Sequence, residues 1–186
     1  MKADLSHRNK LIQTGRINDN YDAEMEELHL QNAETLKQII KVIGYPTKEK
    51  LGVTAAKAAW MIIQHSISKP EFMKYCCAEL EKLVKQKKGN PIELAFLQDR
   101  IAVLEGKNQL YGTQFDWDEN GNLSPNAYDD LNKVNERRRN LGMNTLEEQI
   151  EKMRIQVKKE NNLPPVDYHK RMLEMKKWKK SVGWEK

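Results

Sequence analysis

Apolar and polar positions alternate with a helical period along most of the chain, and the breaks in that period mark where helices stop. From about Asp22 to Ile43, the residues Leu28, Leu36, Ile39, Ile40 and Ile43 form an apolar stripe of three-and-four spacing. Gly44 supplies a C-terminal stop and Pro46 follows it. Thr54 is placed to cap a second helix that opens AAKAAW and runs to about Ile67. Ser68-Lys69-Pro70-Glu71 has capping-box spacing for a third, to about Lys87. Asn90-Pro91-Ile92-Glu93 repeats that spacing for a fourth, which Gly106 ends. Residues 107–125 lack a helical period, and Asn120-Gly121 is a hairpin signal that predicts a ribbon pairing Gln114–Trp117 with Asn122–Ser124. Helices are predicted again from about Pro125 to Asn140, from a Thr145 to Glu148 capping box onward, and from about Asp167 to Ser181, with a breaker at Asn161–Pro165. The predicted fold class is all-α, a multi-helix bundle with a short non-helical insertion around 107–125.

Two of these helices carry polar residues where the pattern calls for apolar ones. Leu94–Leu104 reads LAFLQDRIAVL, interrupted only by Gln98, Asp99 and Arg100. Ile92, Phe96, Asp99 and Val103 share one stripe, so Asp99 takes a core position, and Arg100 lies about 100° further round. A charge in such a helix needs a partner, because an unpaired buried charge costs several kcal/mol. In the second helix, Trp60-Met61-Ile62-Ile63 runs directly into Gln64-His65. Just after the Asp99 helix comes Gln109-Leu110-Tyr111-Gly112-Thr113-Gln114, rich in amide and hydroxyl groups around a glycine that permits a tight turn or a close backbone approach.

These residues suit one polar site. His65 is the candidate general base or acid, Asp99 its orienting carboxylate and Tyr111 a proton donor. Arg100 is the candidate anion clamp. Gln64, Gln109, Thr113 and Gln114 would read the substrate by hydrogen bonds, and Arg138, within Arg137-Arg138-Arg139, is an inward-facing contributor. The plainer alternative is that the same residues form a structural network tying the polar loop to the helices, and a lone histidine on an apolar helix is more often a satisfied core group. No Gly-rich phosphate loop, zinc spacing or nucleophile elbow is present, so no cofactor and no metal are expected. Asp116-x-Asp118-x-Asn120-Gly121 imitates the start of a calcium loop, but Ala127 stands where the bidentate Glu belongs, and a hairpin turn is the better reading.

With 186 residues the chain is long enough for a real core. The expected organisation is a loose segment over 1–18, a helical domain with the polar site over 19–150, and a basic helical extension over 151–186. Charged residues make up 32% and no apolar run approaches the ~18 residues of a membrane span. The N-terminus MKADLSHRNK lacks a signal-peptide core, so a cytoplasmic location is expected. Cys76 and Cys77 are adjacent and read as packed core thiols rather than a disulfide or zinc pair. The net charge of +5 is uneven: residues 151–186 hold eleven Lys or Arg against five Asp or Glu. That extension could bind nucleic acid or an acidic membrane surface, although a helix that docks its apolar side and solvates its lysines is the simpler expectation.

Tyr45-Pro46, Ala58-Ala59-Trp60 with Gln64-His65, the stretch from Ala95 to Gln114 with its YGTQ end, and Arg137-Arg138 with Leu141-Gly142 together resemble a bacterial domain-of-unknown-function family, number 6624. The resemblance covers roughly residues 22–150 and implies a common polar site, but brings no activity with it. Two positions depart from the family pattern: Ile67 where an acidic residue often stands, and Met73 where a Gln often stands. The leading expectation is an enzyme doing proton-transfer chemistry (hydrolysis, elimination or isomerisation) on a small polar or anionic metabolite. The alternative is a non-catalytic binding, regulatory or immunity-type protein with a structural polar cluster and a partner-binding basic tail.

Overall fold

A computed structural model describes residues 23–186, so the segment expected to be loose at 1–18 lies outside the described residues. The chain forms two compact units, one up to Asn90 and one from Pro91. Together they hold seven helices and one two-stranded antiparallel sheet among the described residues, the predominantly helical class with a short hairpin that the pattern predicts.

In the first unit, α1 (Ala23–Ile43) packs on α2 (Lys48–His65), and α2 packs on α3 (Pro70–Lys85). The buried stripe of α1 is Met25, His29, Ala33, Leu36 and Ile40, one residue per turn, while Ile39 of the predicted stripe is exposed. Helix α2 starts earlier than Thr54. It is helical from Lys48 and breaks once, at Gly52 (φ 74°, ψ 165°), a conformation essentially restricted to glycine, so Thr54 falls just inside the second piece. The expected capping box before α3 does not form. Lys69 is the N-cap without a side-chain bond, and Ser68 Oγ donates instead to Glu26 Oε1 at 2.6 Å, binding α1 to the turn before α3. Pro70 at the first position and Lys82 and Lys85 in the last turn favour the helix, which buries Phe72, Met73, Cys76 and Leu80. Both thiols are free, and burial pushes Cys76 up to about 12 and Cys77 up to about 11, which keeps them protonated and unreactive.

The second unit begins with α4 (Pro91–Leu104), followed by a loop, β1 (Phe115–Trp117) and β2 (Leu123–Pro125). The ribbon pairs Phe115 with Pro125, Asp116 with Ser124 and Trp117 with Leu123. Its turn is built by Asp118, whose carboxylate accepts from the Asn120 and Asn122 amides and from Ser124 Oγ, while Asp116 pairs with Arg171 at 2.9 Å. That is the hairpin reading of the calcium-like segment. Helix α5 (Leu131–Asn140) starts six residues later than Pro125, because residues 123–128 are held extended: Leu123–Pro125 by β1, and Asn126 and Ala127 by backbone bonds to Gln114 and Gln109. Asp130 caps α5. Thr145 and Glu148 form the predicted capping box of α6 (Leu146–Lys159), and Asp167 caps α7 (Tyr168–Val182). The buried apolar residues of this unit include Leu97, Leu104, Leu123, Val134 and Leu146. No helix among the described residues is long and apolar enough to cross a membrane.

Candidate functional site

Asp99 is fully buried on α4, and its carboxylate faces the backbone of the loop that follows. Oδ1 accepts from the Leu110 amide at 2.8 Å, Oδ2 from the Thr113 amide at 2.9 Å, and the Tyr111 amide bridges both oxygens at 3.2 Å. A carboxylate offers about four lone-pair positions, and these bonds fill them. Burial pushes the Asp99 carboxyl above its ordinary value, against the pull of the three amides and the Thr113 side chain, which favour its charged form.

Gln109 closes the loop from inside, also fully buried. Its Oε1 accepts from the Gln114 amide at 2.7 Å, while Nε2 donates to Gln114 O at 3.0 Å and Asn126 O at 2.9 Å. The side chain thereby does what a neighbouring strand would do, supplying a donor and an acceptor to the same residue. Arg138, 1% exposed on α5, reaches the loop from the other side. It donates from Nη1 to Tyr111 O at 2.8 Å and from Nε to Asn144 O at 2.6 Å, joining the loop to the α5–α6 turn. Burial lowers its pKa, and the charge of Asp99 opposes that shift. Arg137, which the sequence reading did not single out from its neighbours, donates to Leu110 O at 3.1 Å and pairs with Asp129 at 2.8 Å; that bond holds Asp129 below the ordinary carboxylate range.

Arg100 Nε donates to Gln114 Oε1 at 3.1 Å, and Gln114 Nε2 donates in turn to Thr113 Oγ1 at 2.9 Å. Gly112 sits at φ 64°, where a Cβ would lie 2.8 Å from Cδ1 of the buried Leu146. Glycine is required there twice over, by conformation and by space. Tyr111 is half-buried, and desolvation raises its phenol above the ordinary range. Of the nine predicted site residues, the structure therefore brings seven into one network in the second unit: Asp99, Arg100, Gln109, Tyr111, Thr113, Gln114 and Arg138.

The other two, Gln64 and His65, belong to the first unit. Gln64 is buried, and His65 Nδ1 lies 3.2 Å from Nε2 of His29, with the rings edge to face at a centroid separation of 4.8 Å. Either ring nitrogen can donate or accept in this contact, according to the tautomer of each ring. His29 was missed from sequence, yet its signal is present: it sits at the i+4 step between Met25 and Ala33 on the stripe that α1 buries. Among the described residues no cluster of three or more His, Cys, Asp or Glu is arranged to hold a metal ion.

This geometry defines a class, a small helical protein with a polar loop braced from within by a buried carboxylate, amide and guanidinium. The chain belongs to the family of unknown function DUF6624, whose pattern matches residues 1–158 and so takes in the N-terminal residues as well as the QH and YGTQ segments. No curated protein and no solved structure matches it.

Proposed function

We propose that this protein is a non-catalytic recognition protein that displays the 109–114 loop as a rigid surface to a macromolecular partner. The observation that carries this reading is the saturation of Asp99 by three backbone amides of one loop. A carboxylate so occupied supports a backbone, whereas an orienting carboxylate of a general base needs an oxygen directed at the imidazole. The braced backbone leaves Leu110 41% exposed beside the half-buried Tyr111. An aromatic and an aliphatic side chain on a backbone that has already lost its conformational freedom bind at low entropic cost.

A second reading, proton-transfer chemistry on a small polar or anionic metabolite, has one specific observation in its favour, the His29–His65 pair. In that reading His65 is the base and His29 relays its proton. A thermal-shift screen of metabolites on the wild type and His65→Ala, with hydrogen exchange of the Leu110, Tyr111 and Thr113 amides, separates the two. Recognition by a rigid loop predicts that those amides exchange only when their unit unfolds, and that no metabolite depends on His65 for its stabilising effect. A metabolite that stabilises the wild type and not His65→Ala transfers the assignment to the second reading.

A further inference from the structure

Helix α7 and the residues around it lie beyond the end of the family match at residue 158. The helix divides cleanly. Tyr168, Arg171, Met175, Trp178 and Lys179 lie toward the body of the unit, with Arg171 paired to Asp116 at 2.9 Å and Lys179 Nζ donating to Val103 O at 2.8 Å. Burial lowers the Lys179 pKa, and Trp184 just past the helix is buried, so this face is a docked one. The expectation that the basic helix docks one side on the body therefore describes this face.

The opposite face is different in kind. His169, Lys170, Met172, Leu173, Lys176, Lys177 and Lys180 are all exposed and fall within a single arc of roughly 160° at 100° per residue. That arc contains four lysines and no acidic residue; Glu174, the one acid of the helix, falls outside it. None of the four lysines has an ion-pair partner among the described residues. Met172 and Leu173 stand among them at 42% and 61% exposure, beside an open groove of about 430 Å³ bordered by Met172, Met175, Lys176, Lys179 and Glu185. Lysines at a helix surface that is also apolar place their charges at the phosphate level and their stems, with the apolar side chains, against the acyl boundary. A nucleic acid would use the lysines on its phosphates but would leave the exposed Met172 and Leu173 without an apolar partner, whereas a bilayer engages both.

We infer that the exposed face of α7 is a docking surface for an anionic lipid bilayer, with Lys170, Lys176, Lys177 and Lys180 on the headgroups and Met172 and Leu173 inserted between them. The helix lies in the interface while its other face remains docked on the second unit. The interaction is independent of the 109–114 loop.

The test is co-sedimentation of the full chain with vesicles of phosphatidylcholine alone and of phosphatidylcholine with phosphatidylglycerol, at low and at high salt. Partitioning onto the anionic vesicles only is expected, weakening as the screening length falls from about 10 Å at 0.1 M to about 3 Å at 1 M salt. Each lysine at an anionic surface contributes about fivefold, so replacing Lys176, Lys177 and Lys180 together with Gln should reduce partitioning on the order of a hundredfold. Because these side chains are exposed, circular dichroism of that variant should match the wild type. Met172→Ser with Leu173→Ser should weaken binding severalfold without altering its salt dependence. Equal binding to neutral vesicles, no binding to either, an unaffected triple-Gln variant, or tighter binding to duplex DNA or RNA than to anionic vesicles each overturns the inference.

Discussion

The clamped loop of the second unit and the histidine pair of the first arise from the same sequence anomaly, a polar residue on an otherwise apolar helix, and resolve it in opposite ways. Asp99 finds three backbone amides, and every bond it makes is charge-assisted and local to one loop. His65 finds a second side chain that can exchange roles with it, one donor and one acceptor across 3.2 Å. The first arrangement is fixed in direction at its three backbone contacts, because backbone N–H groups can only donate. The second has no fixed direction, because either ring nitrogen can donate or accept according to the tautomer of each ring. Donor and acceptor arithmetic, rather than burial, therefore separates a contact fixed in direction from one that can reverse.

The largest effect should come from removing that one-sidedness. Asp99→Asn keeps the shape but turns one acceptor into an NH2 group aimed at amide donors, leaving buried N–H groups without partners. We expect a loss of about 3–5 kcal/mol, read by urea unfolding of the full chain, together with faster exchange at Leu110, Tyr111 and Thr113. A variant as stable as the wild type would remove the basis of the contrast. Gly112→Ala should follow at about 2–4 kcal/mol, from the left-handed backbone at φ 64° and the 2.8 Å approach to Leu146. Combining it with Leu146→Ala sharpens the assignment. The double variant should be more stable than the sum of the single losses by about 1–2 kcal/mol, because the cavity accepts the new methyl group.

The helices and the location of the polar network were legible from sequence because both rest on local patterns. The three-and-four stripes and the caps at Thr145 and Asp167 act over a few residues, and Asp99 betrays itself by standing on an apolar stripe. What failed was what depends on partners distant in the chain. Pro125 to Asp130 has nothing against helix locally, yet the Gln109 and Gln114 backbones hold Asn126 and Ala127 extended. Ser68 has the spacing of a cap, yet Glu26, 42 residues away, takes its hydroxyl. Thr54 has the character of a cap, but Gly52 at φ 74° lets helix run on both sides of it, from Lys48 onward. For Asp99 the sequence leaves two partners open, His65 or a structural network holding the polar loop; three amides on the loop eleven to fourteen residues later leave no mark in the sequence that would choose between them.

The histidine pair should give the smallest stability effect and the most discriminating one. Each of His29→Ala and His65→Ala removes a hydrogen bond between two side chains, of which His29 is buried and His65 half-buried, and each should cost about 1–2 kcal/mol. The double variant should cost less than the sum by about 1 kcal/mol, since the second substitution removes a partner already lost. Neither change should alter exchange at Leu110, Tyr111 or Thr113, because Asp99, Gln109 and Arg138 hold those residues without the histidines. Strict additivity would mean that the rings touch without sharing a proton, and the catalytic reading would lose its one supporting observation. Coupling together with altered loop exchange would show instead that the pair and the loop form a single energetic unit, and the contrast between the two contacts would fail for this protein.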